Sequence, residues 1–371
     1  MLAISVGSGL VVAAGREVTP DVRAELTGHR GGVTAIAFSA KSNEIATGAG
    51  NGIVRVWNAT TGTVLAKLDE FKGISITGLA FSPDGSILTA SGKGKVGLWS
   101  ITETKSTKAG GGTSPTPKSE PKNYKWVYFP GTDSDLVYPD VAVTGDGKEV
   151  YFARRSVGLS YPGRILRYDT SRDNTEERPG PKIFDPRSVA CISDPESGVA
   201  AVYGTVGEKA VAAILLYGLG DPKVITRGVP PISKDASSRI MFSTDGKWLG
   251  ADSGTLAVWP VPGSHIISGD PAQIENVFAA AIGPDNLLAT VSPPDEFQNS
   301  ALHLWKLGSQ VKTYGLFGIH WMKQTAEAKK LATYPTTLKD VACLAFSPDG
   351  KTLAVGGATD GIVQLWNMGG K

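Results

Sequence analysis

VACLAFSPDGKTLAVGGATDGIVQLWN, from Val341 to Asn367, decides the architecture of this chain. It reads as an apolar strand, a polar turn, a second apolar strand, a Gly-rich turn and a third strand alternating up to Trp366. ITGLAFSPDGSILTASGKGKVGLWS (Ile76–Ser100) nearly superimposes on it, and VTAIAFSAKSNEIATGAGNGIVRVWN (Val33–Asn58) has the same design. Self-similarity of this kind is the signature of a repeat architecture, in which each unit buries its apolar faces only against its neighbours.

The first turn can be followed along the whole chain. It occurs as SAKSN (Ser39–Asn43), SPDG (Ser82–Gly85), TGDG (Thr144–Gly147), SDPESG (Ser193–Gly198), STDG (Ser243–Gly246), GPDN (Gly283–Asn286) and SPDG (Ser347–Gly350). Pro presets one turn dihedral, Asp bonds back to the backbone, and Gly or Asn accepts positive φ. The third strand gives an independent count: Trp57, Trp99, Trp259, Trp305 and Trp366, with Tyr168 and Tyr217 filling the two gaps. Both counts give seven units.

FSPDGKTLAVGGATDGIVQLWN resembles a WD repeat, whose blade has four antiparallel strands, and Gly28-His29 resembles the Gly-His pair that opens one. The resemblance is strongest in units one, two and seven, and FSPDGKTLAVGG is similar in style to bacterial members. It implies an all-β, seven-bladed β-propeller. It also implies a hydrogen-bonded set of His, Ser or Thr, Asp and Trp. Here the first blade approaches that set through His29, Thr47, Asn51 and Trp57, with Asn in place of Asp. Trp99, Trp259, Trp305, Asp360 and Trp366 are the further structural candidates. The Asp expected after each Trp is replaced by Asn58, Ser100, Pro260, Lys306 and Asn367, so blade rigidity must rest more on apolar packing.

The ends imply how the ring closes. The last repeat stops at Asn367-Met368 after its third strand, while Val22–Leu26 has the place and alternation of a fourth strand lacking its first three. Val22–Leu26 is therefore expected to complete blade seven. The blades are expected at about 31–69, 70–130, 131–185, 186–228, 229–270, 271–336 and 337–371 plus 22–28. Residues 1–20 are an apolar segment with no basic start, too short to span a bilayer, and the compartment stays open between cytoplasm and periplasm.

Two long insertions sit between third and fourth strands and are expected on one face of the disc. Residues 106–123 are rich in Gly, Ser, Thr, Pro and Lys, a composition that does not order itself. In the other, within residues 315–329, the stretch from Trp321 to Leu331 holds good helix formers. Phe317, His320, Trp321 and Met322 are the candidate partner-binding residues, either packed on their own blade or offered as an apolar anchor.

The formal net charge of +2 gives no field that would draw the chain to nucleic acid. Four histidines (His29, His265, His303, His320) show no metal-ligand spacing, and Cys191 and Cys343 fall on different blades, so no metal, cofactor or disulfide is expected. GKGKVG (Gly92–Gly97) joins two strands and opens no helix, which removes the dinucleotide interpretation. Asp133, Asp135 and Asp140 are expected in a solvated acidic turn, and Arg154, Arg155, Arg164 and Arg167 make blade three locally basic, able to meet an anion or phosphopeptide. The function expected is a non-catalytic scaffold for a protein or peptide partner, a monomeric module of a larger protein. The alternatives are a propeller hydrolase or lactonase with its site at the channel mouth, and a periplasmic assembly or sensor platform.

Overall fold

The computed structural model describes residues 21–368 apart from 42, 102–123, 128–135, 157–162, 179–180, 182–183, 193–198, 208, 218–222, 227, 233–237, 262–268, 294–299 and 317–318. Residues 1–20, the first insertion (106–123), Asp133, Asp135, His265 and Phe317 lie outside the described residues. Seven antiparallel sheets follow one another along the chain, and their inner strands touch in sequence round a closed ring. These inner strands are Val33–Phe38, Ile76–Phe81, Val141–Val143, Phe184–Cys191, Arg239–Phe242, Ala279–Ile282 and Val341–Phe346. Blade three is the one departure from four strands, because Leu136–Val137 and Val141–Val143 both pair with Glu149–Ser156.

The repeated turn explains itself atom by atom. Ser82 Oγ donates to Asp84 Oδ1 at 2.5 Å and accepts the N–H of Ile87 at 2.9 Å. The same pair of bonds recurs at Thr144, Ser243 and Ser347. Each turn then needs positive φ, supplied by Gly85, Gly147, Gly246 and Gly350. Neighbouring turns also pack shoulder to shoulder: a Cβ on Gly350 would meet Pro284 Cγ at 2.7 Å, so the glycine makes room for the preceding blade.

The apolar core is seven wedges, each lying between two adjacent sheets. The third-strand aromatic of every blade enters the wedge it shares with the preceding blade. Trp57 packs with blade seven, Trp99 with blade one, Tyr168 with blade two, and so on to Trp366 against blade six. Fully burying one such side chain stabilises by roughly 1.5–3 kcal/mol before cavity terms.

Ring closure falls on Asp21–Leu26, which pairs antiparallel with Val363–Asn367 and makes blade seven four-stranded. Leu26 is 1% exposed within the wedge between blades seven and one, and Arg23 donates to Ala59 O of blade one at 2.7 Å. The second insertion departs from the helix its composition favoured. Ala301–Leu316 and Ile319–Pro335 form one continuous hairpin, paired from Ala301↔Pro335 to Leu316↔Ile319. A strand already paired in the blade offers the next residue a ladder partner at once, and that overrides helix propensity of a few tenths of a kcal/mol per residue. The base of this arm is clamped sideways to blade five, through Asp270 N–H to Gln324 O (3.1 Å) and Ala326 N–H to Asp270 O (3.0 Å).

A chain lacking residues 1–27 loses the closing ladder and Leu26 together, several kcal/mol in sum. Its melting temperature is expected to fall by at least about 5 °C in calorimetry; an unchanged transition would contradict closure by this strand.

Candidate functional site

The structural set of blade one is only partly what the sequence pattern implied. Trp57 Nε1 donates to Thr47 Oγ1 at 2.8 Å, and His29 Nε2 lies 2.7 Å from the same oxygen. Arg55 Nη1 sits 3.4 Å from His29 Nδ1. Arginine can only donate, so Nδ1 accepts and the proton of the neutral ring is on Nε2, directed at Thr47. Burial first, and Arg55 second, bring the His29 pKa down to about 4. Asn51 stands apart from this relay: its Oδ1 accepts from Ile53 N–H and shapes the turn. Asp360 is exposed, in the turn before Val363.

The residue that satisfies the buried indole lies two positions beyond its cross-strand partner. Trp57 opposes Ile45, giving Thr47, and Trp305 opposes Leu288, giving Thr290, whose Oγ1 accepts from Trp305 Nε1 at 2.9 Å. In blades two and seven that position holds Ala90 and Val355, and among the described residues Trp99 Nε1 and Trp366 Nε1 have no partner. Trp259 fills the wedge between blades four and five.

Other sequence candidates are redistributed by the fold. His303 is half-buried, with Nδ1 2.9 Å from Thr333 Oγ1 in the outer strand. His320, Trp321 and Met322 lie on the arm strand, paired with Gly315, Tyr314 and Thr313, and their side chains lie outside the described residues. Cys191 and Cys343 are free thiols on the inner strands of blades four and seven. The basic patch of blade three is largely neutralised at home, with Arg164 paired to Glu177 and Arg167 held by Glu149 (2.6 Å) and Glu176 (2.7 Å). Arg155 is different. It leans inward to Asp185 at 2.9 Å and lines the central channel.

That channel is the candidate site. A cavity of about 490 Å³ sits where the inner strands begin, and all seven blades contribute to its wall. Ile36, Leu79, Ile240, Met241 and Leu344 supply apolar wall, while Thr34, Thr77, Asp140, Arg155, Arg187, Ser238 and Arg239 supply the polar part. Third-to-fourth-strand connections, including the arm, leave from the other end of the strands, so the arm and the cavity belong to opposite faces.

One register exposes the asymmetry of this wall. The residues that open the first turn are marked by their N–H bonds to the second strand: Ser39, Ser82, Thr144, Ile192, Ser243, Gly283 and Ser347. Four residues earlier stand Ala35, Gly78, Asp140, Ser188, Arg239, Ala279 and Cys343. Blades one, two, six and seven carry a small side chain there; blades three to five carry Asp, Ser and Arg. The expectation of a solvated acidic turn is therefore wrong for Asp140. Its Oδ2 accepts from Ser188 Oγ (2.6 Å) and Val189 N–H (3.4 Å), and its Oδ1 from Val141 N–H (2.9 Å). Ser188 Oγ in turn accepts the N–H of Ile240 at 3.0 Å, so one carboxylate ties three blades together. Gly78 leaves the space, since a Cβ there would lie 2.5 Å from Asp140 Oδ1. Burial pushes Asp140 up to about 6 against its hydrogen bonds, and buried Asp252, opposite Arg239 in the ladder, up to about 7. Among the described residues no group of three or more His, Cys, Asp or Glu could hold a metal ion.

The WD40 family (WD domain, G-beta repeat) matches residues 21–58, 62–100 and 328–367. Each matched segment starts in or just before the outer strand of one blade and ends in the third strand of the next. The chain thus carries WD repeats in these three segments and folds as a seven-bladed β-propeller. Human apoptotic protease-activating factor 1 is 42% identical to it over 84 residues, which are 21% of this chain and 7% of that protein. Small ribosomal subunit protein RACK1y of Oryza sativa subsp. japonica is 36% identical over 80 residues, 22% of this chain and 23% of that protein. The matches thus span less than a quarter of either relative's length. Among solved structures, the β-propeller domain of Cps50 (Swd1) from Myceliophteria thermophila aligns over 95% of this WD-repeat chain and 100% of that chain, with a TM-score of 0.64 and 14% identity, a likeness of fold.

Two measurements check the site's energetics. Thr47→Val keeps the shape and strands two buried N–H donors, so urea unfolding is expected to show a loss of about 1–3 kcal/mol; Thr290→Val, beside the half-buried Trp305, is expected to lose less. Asp252 carries a carboxyl raised in the fold, so its contribution to stability is fully present below about pH 4 and is lost as pH rises through about 7. Asp252→Asn has no such loss. Relative to the parent chain it is expected to gain on the order of 1–4 kcal/mol between pH 4.5 and pH 8 in urea titrations; an equal difference at both pH values would refute the assignment.

Proposed function

We propose that this propeller is a non-catalytic scaffold that holds a protein or peptide partner, with the channel mouth as its grip. The observation that carries this reading is the wall just described. A cavity of about 490 Å³ is of the size that receives a few side chains, and its apolar patches and spaced polar groups suit recognition. Its inner strands are rigid because each is the hydrogen-bonded edge of a packed sheet, so contacts made there need little ordering. The carboxylates that a hydrolase would need free are engaged instead: Asp140 by Ser188 and two backbone N–H groups, Asp185 by two arginines. WD-repeat propellers as a class serve as protein-interaction platforms, which favours the same conclusion.

A second grip is supported by one specific observation, the length of the arm. Paired residues from Leu307↔Ala328 to Leu316↔Ile319 run for about 30 Å at roughly 3.3 Å per residue, with Leu307 and Ala326 at the start still buried between blades five and six and the rest carried past that wedge. His320, Trp321 and Met322 pair near its far end, and we keep them, together with Phe317, as the candidate partner residues of the opposite face.

The test is a phage-displayed peptide library selected on the intact chain, with affinities then measured on two variants of confirmed fold. Thr34→Trp fills the cavity from blade one; the other variant replaces residues 308–327 with a short Gly-Ser turn. Selected peptides are expected to lose at least tenfold in affinity on Thr34→Trp and to keep it on the trimmed arm. Equal binding to Thr34→Trp would overturn the channel as the grip, and loss confined to the trimmed arm would assign it to the tip.

A further inference from the structure

We propose that the channel wall formed by blades three, four and five is an oxyanion-binding subsite, with Arg155, Arg187 and Arg239 receiving a carboxylate or phosphate carried on the partner. This deepens the scaffold reading and rests on it for the partner's being a protein.

Three observations converge on it. The first is placement: Arg155 ends the second strand of blade three, Arg187 lies on the inner strand of blade four, and Arg239 opens the inner strand of blade five. All three line the same cavity, whose remaining blades contribute no charged group to it. The second is preorganisation. Asp185 takes Arg155 Nε at 2.9 Å on one oxygen and Arg187 Nη2 at 2.8 Å on the other, so a single carboxylate splays two guanidinium groups from adjacent blades. Most of their N–H donors are left for a ligand, and Arg187 Nε is buried with no partner among the described residues. The third is Arg239. It faces Asp252 across the ladder and lines the cavity with Asp140, and its charge lowers the pKa of both, yet among the described residues it makes no side-chain hydrogen bond or ion pair.

Charge balance favours an incoming anion. Asp140 spends its oxygens on Ser188 and backbone N–H groups, and Asp252 accepts from Gly254 N–H at 3.1 Å. Burial biases both carboxyls toward the neutral form, whereas arginine stays charged. A fork of planar guanidinium groups in a partly desolvated wall is suited to a planar carboxylate or a tetrahedral phosphate, with bidentate geometry that a lone ammonium lacks.

Met241 lines the cavity next to this wall and is one of only four methionines, so its methyl group is a local reporter. The test is NMR of the full chain labelled at the methionine methyl carbons, titrated at fixed ionic strength. The probes are inorganic phosphate and three capped tripeptides with glutamate, phosphoserine or glutamine at the centre. Saturable movement of the Met241 signal with the anions and none with glutamine is expected. That movement should shrink at least tenfold in apparent affinity in Arg239→Gln and in Arg187→Gln, with the other methionine signals in place. The tighter of the glutamate and phosphoserine peptides names the source of the anion. No saturable shift, or equal shifts in both arginine variants, overturns the subsite. If that happens while selected peptides still fail on Thr34→Trp, the channel stands as the grip without the subsite; if anions bind but no peptide needs the channel, the subsite stands and the channel fails as the partner's grip.

Discussion

Every blade of this molecule has two apolar faces and no way to cover either one alone. That constraint organises everything else. A four-stranded sheet of some twenty residues buries its faces only between two other sheets, so the stable object is a ring in which each wedge belongs to two neighbours. The third-strand aromatic is the plug of each wedge, and the hydrogen-bonded turn at the foot of each hairpin fixes where the plug enters. Trp57 and Trp305 have a threonine to receive their indole N–H, while Trp99 and Trp366 are held by packing with that donor unsatisfied. The loss of the family's aspartate is compatible with this architecture because the wedges, rather than the polar relay, carry the stability.

A ring of mutually dependent wedges must also end somewhere. Here the seam is inside blade seven, where strands from the two ends of the chain pair along Asp21–Leu26 and Val363–Asn367. The match segments have the same phase, each joining an outer strand to the three strands of the following blade. The repeat in sequence and the blade in space are thus offset by one strand: every blade-to-blade junction is crossed by continuous chain, and the ring is closed without a covalent link inside blade seven, by the ladder between Asp21–Leu26 and Val363–Asn367.

The blade count, the closing strand and the wedge aromatics were legible because they depend on local chemistry: Ser-x-Asp-Gly for the turn, alternation for the strands, Trp at a fixed place. The site was much less so. Asp140 looks like part of an acidic run in the sequence, and only the ring brings Ser188 and Ile240 to it from blades four and five. Arg155 belongs by sequence to a basic cluster, yet Arg164 and Arg167 pair with glutamates of their own blade while Arg155 turns to Asp185 of blade four. A usable signal did exist. Counting back from each turn to the same register sets Asp140, Ser188 and Arg239 against Ala, Gly, Ala and Cys in the other blades, and a polar residue where its equivalents are small is a request for explanation. Residues Trp321–Leu331 misled for the opposite reason: composition favoured a helix, while the strand they continue was already paired.

The inner wall of the ring, then, is where a rigid frame presents unequal chemistry, apolar on most blades and cationic on three. Hydrogen exchange of the intact chain with and without a library-selected peptide tests that account most directly. The account predicts added protection at the starts of the inner strands, around Asp140–Ala142, Arg187–Val189 and Arg239–Met241. The outer strands should keep their exchange rates. Protection confined to the arm or to the outer strands, with the inner strands unchanged, would contradict it.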